Sequence, residues 1–348
     1  METDTTQNQT TIALNIPAFW KAQRKDWRIT VIRTSLERLG YKIILPYLTL
    51  YIILLGATKT QLGFVTSLGL IASGLIGPYI GQVIDRHGPK KVYIVGILIL
   101  AGGYLAFASA PVWQVAALGM FLHQLGGGVG GQSCATICGN CLANCDRAKG
   151  MLVCESLAAG VLGMVGPMIS GWFLVSIMGV EDTPTDPNSI RPLFFITLTI
   201  TIISLLVVVF KLSFSRWTTS NSNVKRNVLK DAVAILKADK NCVKWIFMAI
   251  VGNMPVAMVI PYVQLFAAET KNASVATLSG MVTATALTSV VCGYFFGVLG
   301  DRFGRKKILT LTIGLYLIGL VLLVTTKNPV MLLIVGILQG FQEIGGPL

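Results

Sequence analysis

The residues whose type and spacing first suggest chemistry are four cysteines within twelve positions of the chain. The stretch reads "CATICGNCLANC" and contains Cys134, Cys138, Cys141 and Cys145. Thiolate sulfur is a preferred ligand of zinc, of copper(I) and of iron–sulfur clusters. Neighbouring thiols can also exchange with a disulfide. Which of these chemistries is open to the cysteines depends on the element that carries them.

The spacing of the four cysteines places them along one side of a helix. They fall at i, i+4, i+7 and i+11, which on a helix is a stripe roughly 60° wide. From Cys134 to Cys145 the helix rises about 16 Å, whereas a zinc–sulfur bond is about 2.3 Å long. One ion therefore reaches an adjacent pair only, and another helix would have to complete the site. We predict instead that the stripe packs as small buried residues, and we assign neither a metal site nor a cofactor.

The composition indicates a protein embedded in a membrane. Of the 348 residues, 53% are hydrophobic and 12% are charged, about half the charged fraction of a typical soluble domain. So few charges cannot cover a surface that faces water. Ten apolar segments are about long enough to cross a bilayer as helices. These spans cover residues 36–55, 61–83, 92–110, 113–140, 150–178, 192–211, 245–268, 276–299, 308–326 and 330–348.

The positive charge of the chain lies between particular spans. With the N-terminus in the cytoplasm, the inner segments hold 21 of the 28 lysines and arginines, and the outer segments hold four. The other three, Arg33, Arg38 and Lys42, flank or enter the first span. This asymmetry follows the positive-inside rule and explains the net charge of +13 without a nucleic-acid partner. We predict a multi-pass protein of the plasma (inner) membrane, surrounded by lipid, with a cytoplasmic N-terminus.

Two pairs of spans repeat each other. The second span ends in "GQVIDRHGPKK", starting at Gly81, and the eighth ends in "GVLGDRFGRKK", starting at Gly297. Upstream, "ILPYLTLY" around Pro46 matches "VIPYVQLF" around Pro261. The first two spans therefore recur as the seventh and eighth, an even number of crossings later. The two copies have the same orientation, as in parallel repeats related by an axis along the membrane normal.

These motifs resemble the major facilitator superfamily of secondary transporters, and the most specific is the twice-used G-x-x-x-D-R-x-G-x-K-K. The resemblance implies an all-α polytopic membrane fold of two six-helix bundles around a central cavity. Because the sequence stops within the tenth span, we expect a second bundle truncated after helix ten. The expected divisions are a cytoplasmic segment (1–28), a first bundle (29–211), a linker with an amphipathic helix (212–244) and a partial second bundle with helices 7 to 10 (245–348).

The repeated loops are the expected gating elements. Their second glycine permits a tight reversal, and their basic residues hold the loop at the inner face. An acid at the membrane boundary is costly unless it is paired. The resemblance implies that Asp301 faces the start of the fifth span and that the partner of Asp85 lies beyond Leu348. Alternatively, the loops set topology without gating. The residues are Gly81, Asp85, Arg86, Gly88, Lys90 and Lys91 in one copy, and Gly297, Asp301, Arg302, Gly304, Arg305 and Lys306 in the other.

A further motif lies in the fifth span, which reads "GMVGPMISG" from Gly163 to Gly171. It contains Gly166 and Pro167 and resembles the Gly-Pro motif of the family's antiporters, with Ser170 replacing one glycine. The resemblance therefore favours efflux of a drug or metabolite. In the fourth span the arginine that the family usually places before its glycines is absent.

The resemblance also places the first, fourth, seventh and tenth spans around the cavity, so their polar residues are the predicted substrate and proton site. Glu37 is the first candidate for a proton-carrying acid and Glu343 the second. An acid inside a membrane is energetically costly, so its presence there indicates a function. Alternatively, Glu37 pairs with Arg33 or Arg38 in an anchor at the inner surface, and His123 is a hydrogen-bonded packing residue. The predicted residues are Glu37, Arg38, Tyr41, Lys42, His123, Gln124, Asn253, Gln264, Gln339 and Glu343.

These patterns lead to one functional hypothesis and several alternatives. The chain is expected to move a small molecule by alternating access, with H⁺ as the coupling ion, as a monomer. Uptake of a sugar, organic acid or peptide is an alternative, as is a receptor or scaffold that transports nothing. An enzyme is not expected, because the two histidines of the sequence, His87 and His123, cannot build a polyhistidine metal centre. The sequence also lacks a Gly-x-Ser-x-Gly nucleophile motif.

Overall fold

The computed structural model describes residues 16–142, 150, 154, 159–213, 240–303, 305–326, 328 and 330–345. Within these residues the chain forms twelve helices and no strand, as the all-α prediction requires. The helices are α1 (Ile16–Ala22), α2 (Lys25–Ile44), α3 (Leu48–Leu54), α4 (Lys59–His87), α5 (Pro89–Ser109), α6 (Trp113–Cys141), α7 (Ala159–Ser176), α8 (Pro187–Lys211), α9 (Lys240–Lys271), α10 (Val275–Phe303), α11 (Arg305–Thr325) and α12 (Met331–Gly345).

The outer surface of this bundle is apolar. The helices α4, α5, α8 and α11 and residues 275–293 of α10 are long and apolar enough to cross a bilayer. Large apolar side chains point outward from them; Phe210 is 79% exposed and Leu75 is 69% exposed. A helix satisfies its backbone hydrogen bonds internally and can therefore present such side chains to lipid.

The first span differs from its prediction in both its start and its continuity. It begins at Lys25 rather than near residue 36, and it is broken between Ile44 and Leu48. Pro46 lies in the break, where its missing N–H and its ring interrupt the helical ladder. The early start has a physical reason: the polar residues of α2 are buried within the protein, with Arg33 only 1% exposed. Hydropathy measures suitability for lipid and cannot detect such a site.

Glycines allow α5 and α6 to touch along their backbones. A Cβ atom added to Gly126 would lie 2.6 Å from the backbone nitrogen of Leu100. One added to Gly103 would lie 2.9 Å from the backbone nitrogen of His123. Small residues that permit such an approach are typical of helix interfaces in membranes. This seam fixes α6, which forms one wall of the site described below.

The helix α7 lies between α2 and α10. A Cβ atom on Gly166 would be 2.8 Å from the carbonyl oxygen of Leu39 and 3.0 Å from the nitrogen of Ile43, so α7 meets the α2 backbone directly. Further along, a Cβ atom on Gly171 would be 2.5 Å from Oγ of Ser279 in α10. The predicted glycine motif of the fifth span therefore packs on both sides of α7.

Two predicted elements lie outside the described residues. The amphipathic helix of the linker falls within 214–239, and most of the N-terminal segment falls within 1–15. What is described of that segment includes α1, whose Phe19 and Trp20 pack edge-on against Trp27 of α2. The division into a first bundle, a linker and a second bundle stays a prediction.

The α2–α7 contact gives a matched pair of substitutions. Gly166→Ala places a methyl group against backbone atoms that cannot move aside, and overpacking of this kind costs about 1–3 kcal/mol. Gly163→Ala, one turn earlier, meets the flexible Lys42 side chain at an ordinary 3.5 Å. We expect the free energy of unfolding in detergent to fall for Gly166→Ala and to stay within about 0.5 kcal/mol for Gly163→Ala. Equal losses in the two variants would contradict the backbone contact.

Candidate functional site

The site is built on α2, which carries a series of charged side chains into the protein. Arg33 forms an ion pair with Glu37 one helical turn away. The Arg33 guanidinium also lies over the ring of Tyr93 in α5, 4.5 Å from its centroid. A buried charge requires partners of this kind to offset its loss of hydration. The pairing of Glu37 with Arg33, one of the alternatives, is thus observed, with the Arg33 side chain buried and Glu37 22% exposed.

A polar cavity of about 250 Å³ opens between α2 and α6 beside this ion pair. Gly127 and Gly131 form part of the α6 wall, where an added Cβ atom would meet nothing within 4 Å. These two glycines therefore leave space that larger side chains would fill. The cavity lining is Arg33, Thr34, Glu37, Arg38, Tyr41, His123, Gln124, Gly127, Gly131 and Cys134.

The ring of His123 is held among aromatic residues at this cavity. It stacks on Tyr41 with ring centroids 5.0 Å apart and lies 5.4 Å from the centroid of Tyr104. Its Nδ1 atom has no hydrogen-bond partner among the described residues. His123 is therefore positioned by stacking, and the ring that it presents to the cavity retains an unused polar atom.

A second, smaller cavity of about 100 Å³ lies where the two halves of the chain meet. Lys42 of α2 and Glu343 of α12 both line it, and the distance between Lys42 Nζ and Glu343 Oε1 is 3.0 Å. This ion pair joins residues that are 301 positions apart in the sequence. The other lining residues are Leu45, Ile260, Val263, Gln264, Val282, Thr285, Tyr316, Gln339 and Gln342.

The two cavities bring together most of the polar residues predicted from the sequence. The first contains Glu37, Arg38, Tyr41, His123 and Gln124. The second contains Lys42, Gln264, Gln339 and Glu343. Asn253 lies in α9, and its side chain is outside the described part of the structure. Their shared location is a structural finding, while their roles in transport stay predictions.

Several lining residues were missed by the sequence reasoning. Thr285 and Tyr316 come from α10 and α11, which the resemblance did not assign to the cavity. Arg33 and Thr34 precede the predicted start of the first span. The hydroxyl residues of α10 and α11 could have been predicted if the polar residues of every span, rather than of four spans, had been taken as candidates. The start of α2 offers no such signal, because its charges resemble a cytoplasmic flank.

The first of the two loops that were predicted to act in gating is tightly built. It turns at Gly88, where φ is +83°, a conformation that favours glycine. Lys90 is buried and donates hydrogen bonds to the carbonyl oxygens of Val209 (3.1 Å) and Leu212 (2.5 Å). It thus satisfies carbonyls at the C-terminal end of α8, where a positive charge is also favourable.

The structure describes the other residues of the two predicted gating loops less completely. Asp85, Arg86, Lys91 and Lys306 are exposed, and Gly81 is half-buried with open space around it. In the second copy, Gly304 and the surroundings of Gly297, Asp301, Arg302 and Arg305 lie outside the described residues. The expected meeting of Asp301 with the region near Gly150 is therefore neither supported nor opposed by the structure.

Polar contacts join the two halves at the opposite end from these loops. Tyr47 donates a hydrogen bond to the carbonyl oxygen of Val275 (3.1 Å), and both residues are fully buried. Thr183 donates to the carbonyl oxygen of Ala273 (2.8 Å). Closer to solvent, Lys59 Nζ lies 2.6 Å from a carboxylate oxygen of Glu269. This end of the interface between the halves is closed.

The arrangement of the described helices is shared with known proteins. Solved membrane transporters share the fold: a mutant form of the nucleoside transporter NupG, with a TM-score of 0.66, and a D-xylose-proton symporter, with 0.64. Their sequence identities are 16% and 14%, over 90% and 91% of this chain and 79% of each solved chain. The described helices thus define a polytopic transporter fold.

The family is shown by the sequence itself. The model of the Major Facilitator Superfamily matches residues 31–266 and 245–346, so the chain belongs to that family. Multidrug resistance protein MdtG of Salmonella typhi is 23% identical over 94% of this chain and 79% of its own length. MdtG of Proteus mirabilis is 24% identical over 83% and 70%. The predicted fold and the prediction of a multi-pass membrane transporter of small molecules are therefore confirmed.

The closed end gives a prediction with a control in the same span. Tyr47→Phe removes the hydrogen bond to Val275 but keeps the ring, at a cost of about 0.5–1.5 kcal/mol to the closed arrangement. We expect the ratio of closed to open molecules to fall about two- to twelve-fold, measured by spin-label distances across this end. Tyr51→Phe, which loses a bond to Phe107 within one half, should leave the ratio unchanged. Equal effects would contradict a gating role for Tyr47.

Proposed function

We propose that this transporter exports a drug or metabolite in exchange for protons and that Glu343 is the acid that couples the two movements. The observation that carries the proposal is the ion pair between Lys42 and Glu343 across the two halves. Relatives named for multidrug resistance support the direction of transport. The glycine–proline motif around Pro167, which resembles that of antiporters in the family, supports it as well.

The ion pair makes the contact between the halves sensitive to one proton. Lys42 is buried, and breaking a buried pair by neutralising one partner leaves a charge without compensation. Protonation of Glu343 would therefore weaken the attraction that holds α2 against α12. Because the Glu343 side chain is 38% exposed, a proton can reach it without unfolding the helix. Separation of α2 from α12 then follows proton binding.

Glu37 is a weaker candidate for coupling. Its partner Arg33 lies on the same helix, so protonation of Glu37 changes no described contact between the halves. The ion pair instead fixes a charged wall beside the larger cavity. We assign Glu37 to the substrate cavity, together with Arg38, Tyr41, His123 and Gln124, which share that lining.

The arrangement corresponds to one state of an alternating-access cycle. If the N-terminus is cytoplasmic, as the lysine and arginine distribution favours, the closed end at Tyr47 and Val275 faces outward. The protein would then receive its substrate from the cytoplasm, as an exporter must. We further propose that it works as a monomer in the plasma membrane, with lipid around it and no nucleic-acid partner.

Uptake of a sugar, organic acid or peptide is the second candidate for transport. A D-xylose-proton symporter and a peptide transporter share the fold, but likeness at 14–15% identity describes the architecture alone. A receptor or scaffold that transports nothing would show no dye movement in the proteoliposome assay described next. A receptor or scaffold requires no ion pair whose charge changes with a coupling proton, whereas proton-coupled uptake can use such a pair as export does.

The coupling role of Glu343 can be tested in proteoliposomes loaded with a lipophilic fluorescent dye. We expect an imposed pH gradient to accelerate dye movement through the unmodified protein. Glu343→Gln should lose most of this acceleration, at least about tenfold, while dye exchange without a gradient continues, because the amide carries no titrating proton. The matched control is Glu269→Gln, which also removes a carboxylate paired with a lysine of the other half, at the solvent-exposed edge of the closed end. It should keep the acceleration, because a solvent-exposed ion pair contributes little to the contact.

Two results would contradict the proposal. A pH response that survives Glu343→Gln but disappears in Glu37→Gln would move the coupling role to the first cavity. No gradient-dependent movement through the unmodified protein, for any dye of a panel that covers cations, anions and neutral compounds, would remove drug export itself.

A further inference from the structure

Two cysteines of the α6 stripe lie next to a third cysteine, which the spacing of the stripe does not reveal. Cys134 and Cys138 lie one turn apart in α6, and Cys154 comes from the segment before α7. The three sulfur atoms all lie within 4.8 Å of one another. All three side chains are buried, with exposed fractions of 4%, 0% and 0%. Cys145, the last of the stripe, lies outside the described residues.

From this geometry we propose that Cys134, Cys138 and Cys154 form a binding site for a soft, thiophilic cation of the Zn²⁺ or Cu⁺ class. Metal–sulfur bonds of about 2.3 Å place the sulfur atoms of one coordination sphere roughly 3.8 Å apart. The observed sulfur atoms need to approach by at most about 1 Å, which is within the range of side-chain rotation. Three sulfur donors without a carboxylate select against hard cations such as Mg²⁺ and Ca²⁺.

The site has a route for the ion. Cys134 lines the 250 Å³ cavity, so one of the three ligands is reached from that space although the side chains are buried. Apolar residues also surround the thiols, with Ile97, Ile137 and Leu142 in the same cluster. Such neighbours limit competition from water ligands, while the cavity admits the ion.

The neighbouring charge suits a site that becomes anionic. Binding of Zn²⁺ to three thiols releases up to three protons to solvent and leaves a trithiolate complex with a net charge of −1. Arg33 lines the same cavity, and its Nε and Nη2 atoms have no hydrogen-bond partner among the described residues. Thr34 shares a hydrogen bond with Cys134, 3.4 Å between Oγ1 and Sγ. A cation and a donor are therefore already in place beside the sulfur atoms.

A bound metal ion would link α6 to Cys154, which precedes α7 in the sequence. The helix α7 in turn contacts α10 in the other half of the chain, through Gly171 and Ser279. An ion bound at the three cysteines would therefore restrain α7, a helix through which the two halves contact each other. This inference is independent of the direction and coupling of transport, since it concerns the thiols alone.

The proposal is tested with the reduced, metal-free, full-length chain in detergent, with Cd²⁺ as the probe because its thiolate complexes absorb in the ultraviolet. We expect one tightly bound Cd²⁺ per chain, with the charge-transfer absorbance of three thiolates. Cys134→Ser, Cys138→Ser and Cys154→Ser should each weaken binding at least about tenfold, the lower limit for loss of even an outer-shell partner. Cys141→Ser, a buried cysteine of the same helix outside the cluster, is the matched control and should bind as the unmodified protein does.

A second measurement avoids dependence on the folding of variants. In the unmodified protein, Cd²⁺ should protect the three thiols from alkylation, read by peptide mass spectrometry, and should leave Cys292 of α10 reactive. The same protection by Cu⁺, buffered with a competing chelator, would extend the site to a monovalent ion. Stoichiometric Cd²⁺ binding that survives all three single substitutions, or alkylation of Cys154 at an unchanged rate with Cd²⁺ present, would overturn the proposal.

Discussion

A guanidinium buried among apolar helices is the constraint on which the rest of the first half depends. An unpaired charge in such an interior costs several kcal/mol, so Arg33 requires an opposite charge and further favourable contacts. Glu37 supplies an opposite charge, and Tyr93 supplies the face of its ring. Gly130 leaves room for the guanidinium, since a Cβ atom added there would lie only 3.2 Å from Nη2. These contacts come from α2, α5 and α6. Satisfying one side chain therefore fixes three helices, and the polar cavity forms between two of them.

The second positive charge of α2 is satisfied in a different way. Arg33 finds its partners within the first half, so those contacts persist however the two halves move. Lys42 finds Glu343 in the other half, so that contact exists only when α2 and α12 are close. The same helix thus carries one charge that is structural and one whose partner depends on the arrangement of the halves. That difference separates a residue that builds the cavity from a residue suited to coupling.

Much of the fold could be predicted from the sequence because the hydropathy and charge of each segment follow directly from the order of its residues. Apolar length indicates the spans, and the repeat around Asp85 and Asp301 indicates their arrangement. Three features could not be predicted in this way. The early start of α2 depends on the burial of Arg33, which hydropathy interprets as an aqueous flank. Gly127 and Gly131 line the open cavity, but their four-residue spacing is the same as that of glycines in a tightly packed helix interface, so the spacing does not distinguish the two. Cys154 lies 16 positions after Cys138 in the sequence, outside the helical spacing of the other cysteines, and meets them only in the folded structure.

The helix α7 shows how a transporter can join its halves without locking them. Close contacts to α2 and α10 include those at Gly166 and Gly171. Surfaces without side chains interlock little, so that small sliding movements at these points break few contacts. Pro167 leaves the carbonyl of Gly163 without its usual helical donor, which makes a bend at this point less costly. The neighbouring Ser170 directs its hydroxyl to the carbonyl of Pro167 (2.9 Å), within its own helix. Such a bond does not anchor α7 to α10, and a polar contact to the other half instead comes from beyond the C-terminal end of α7, where Thr183 donates to the carbonyl oxygen of Ala273.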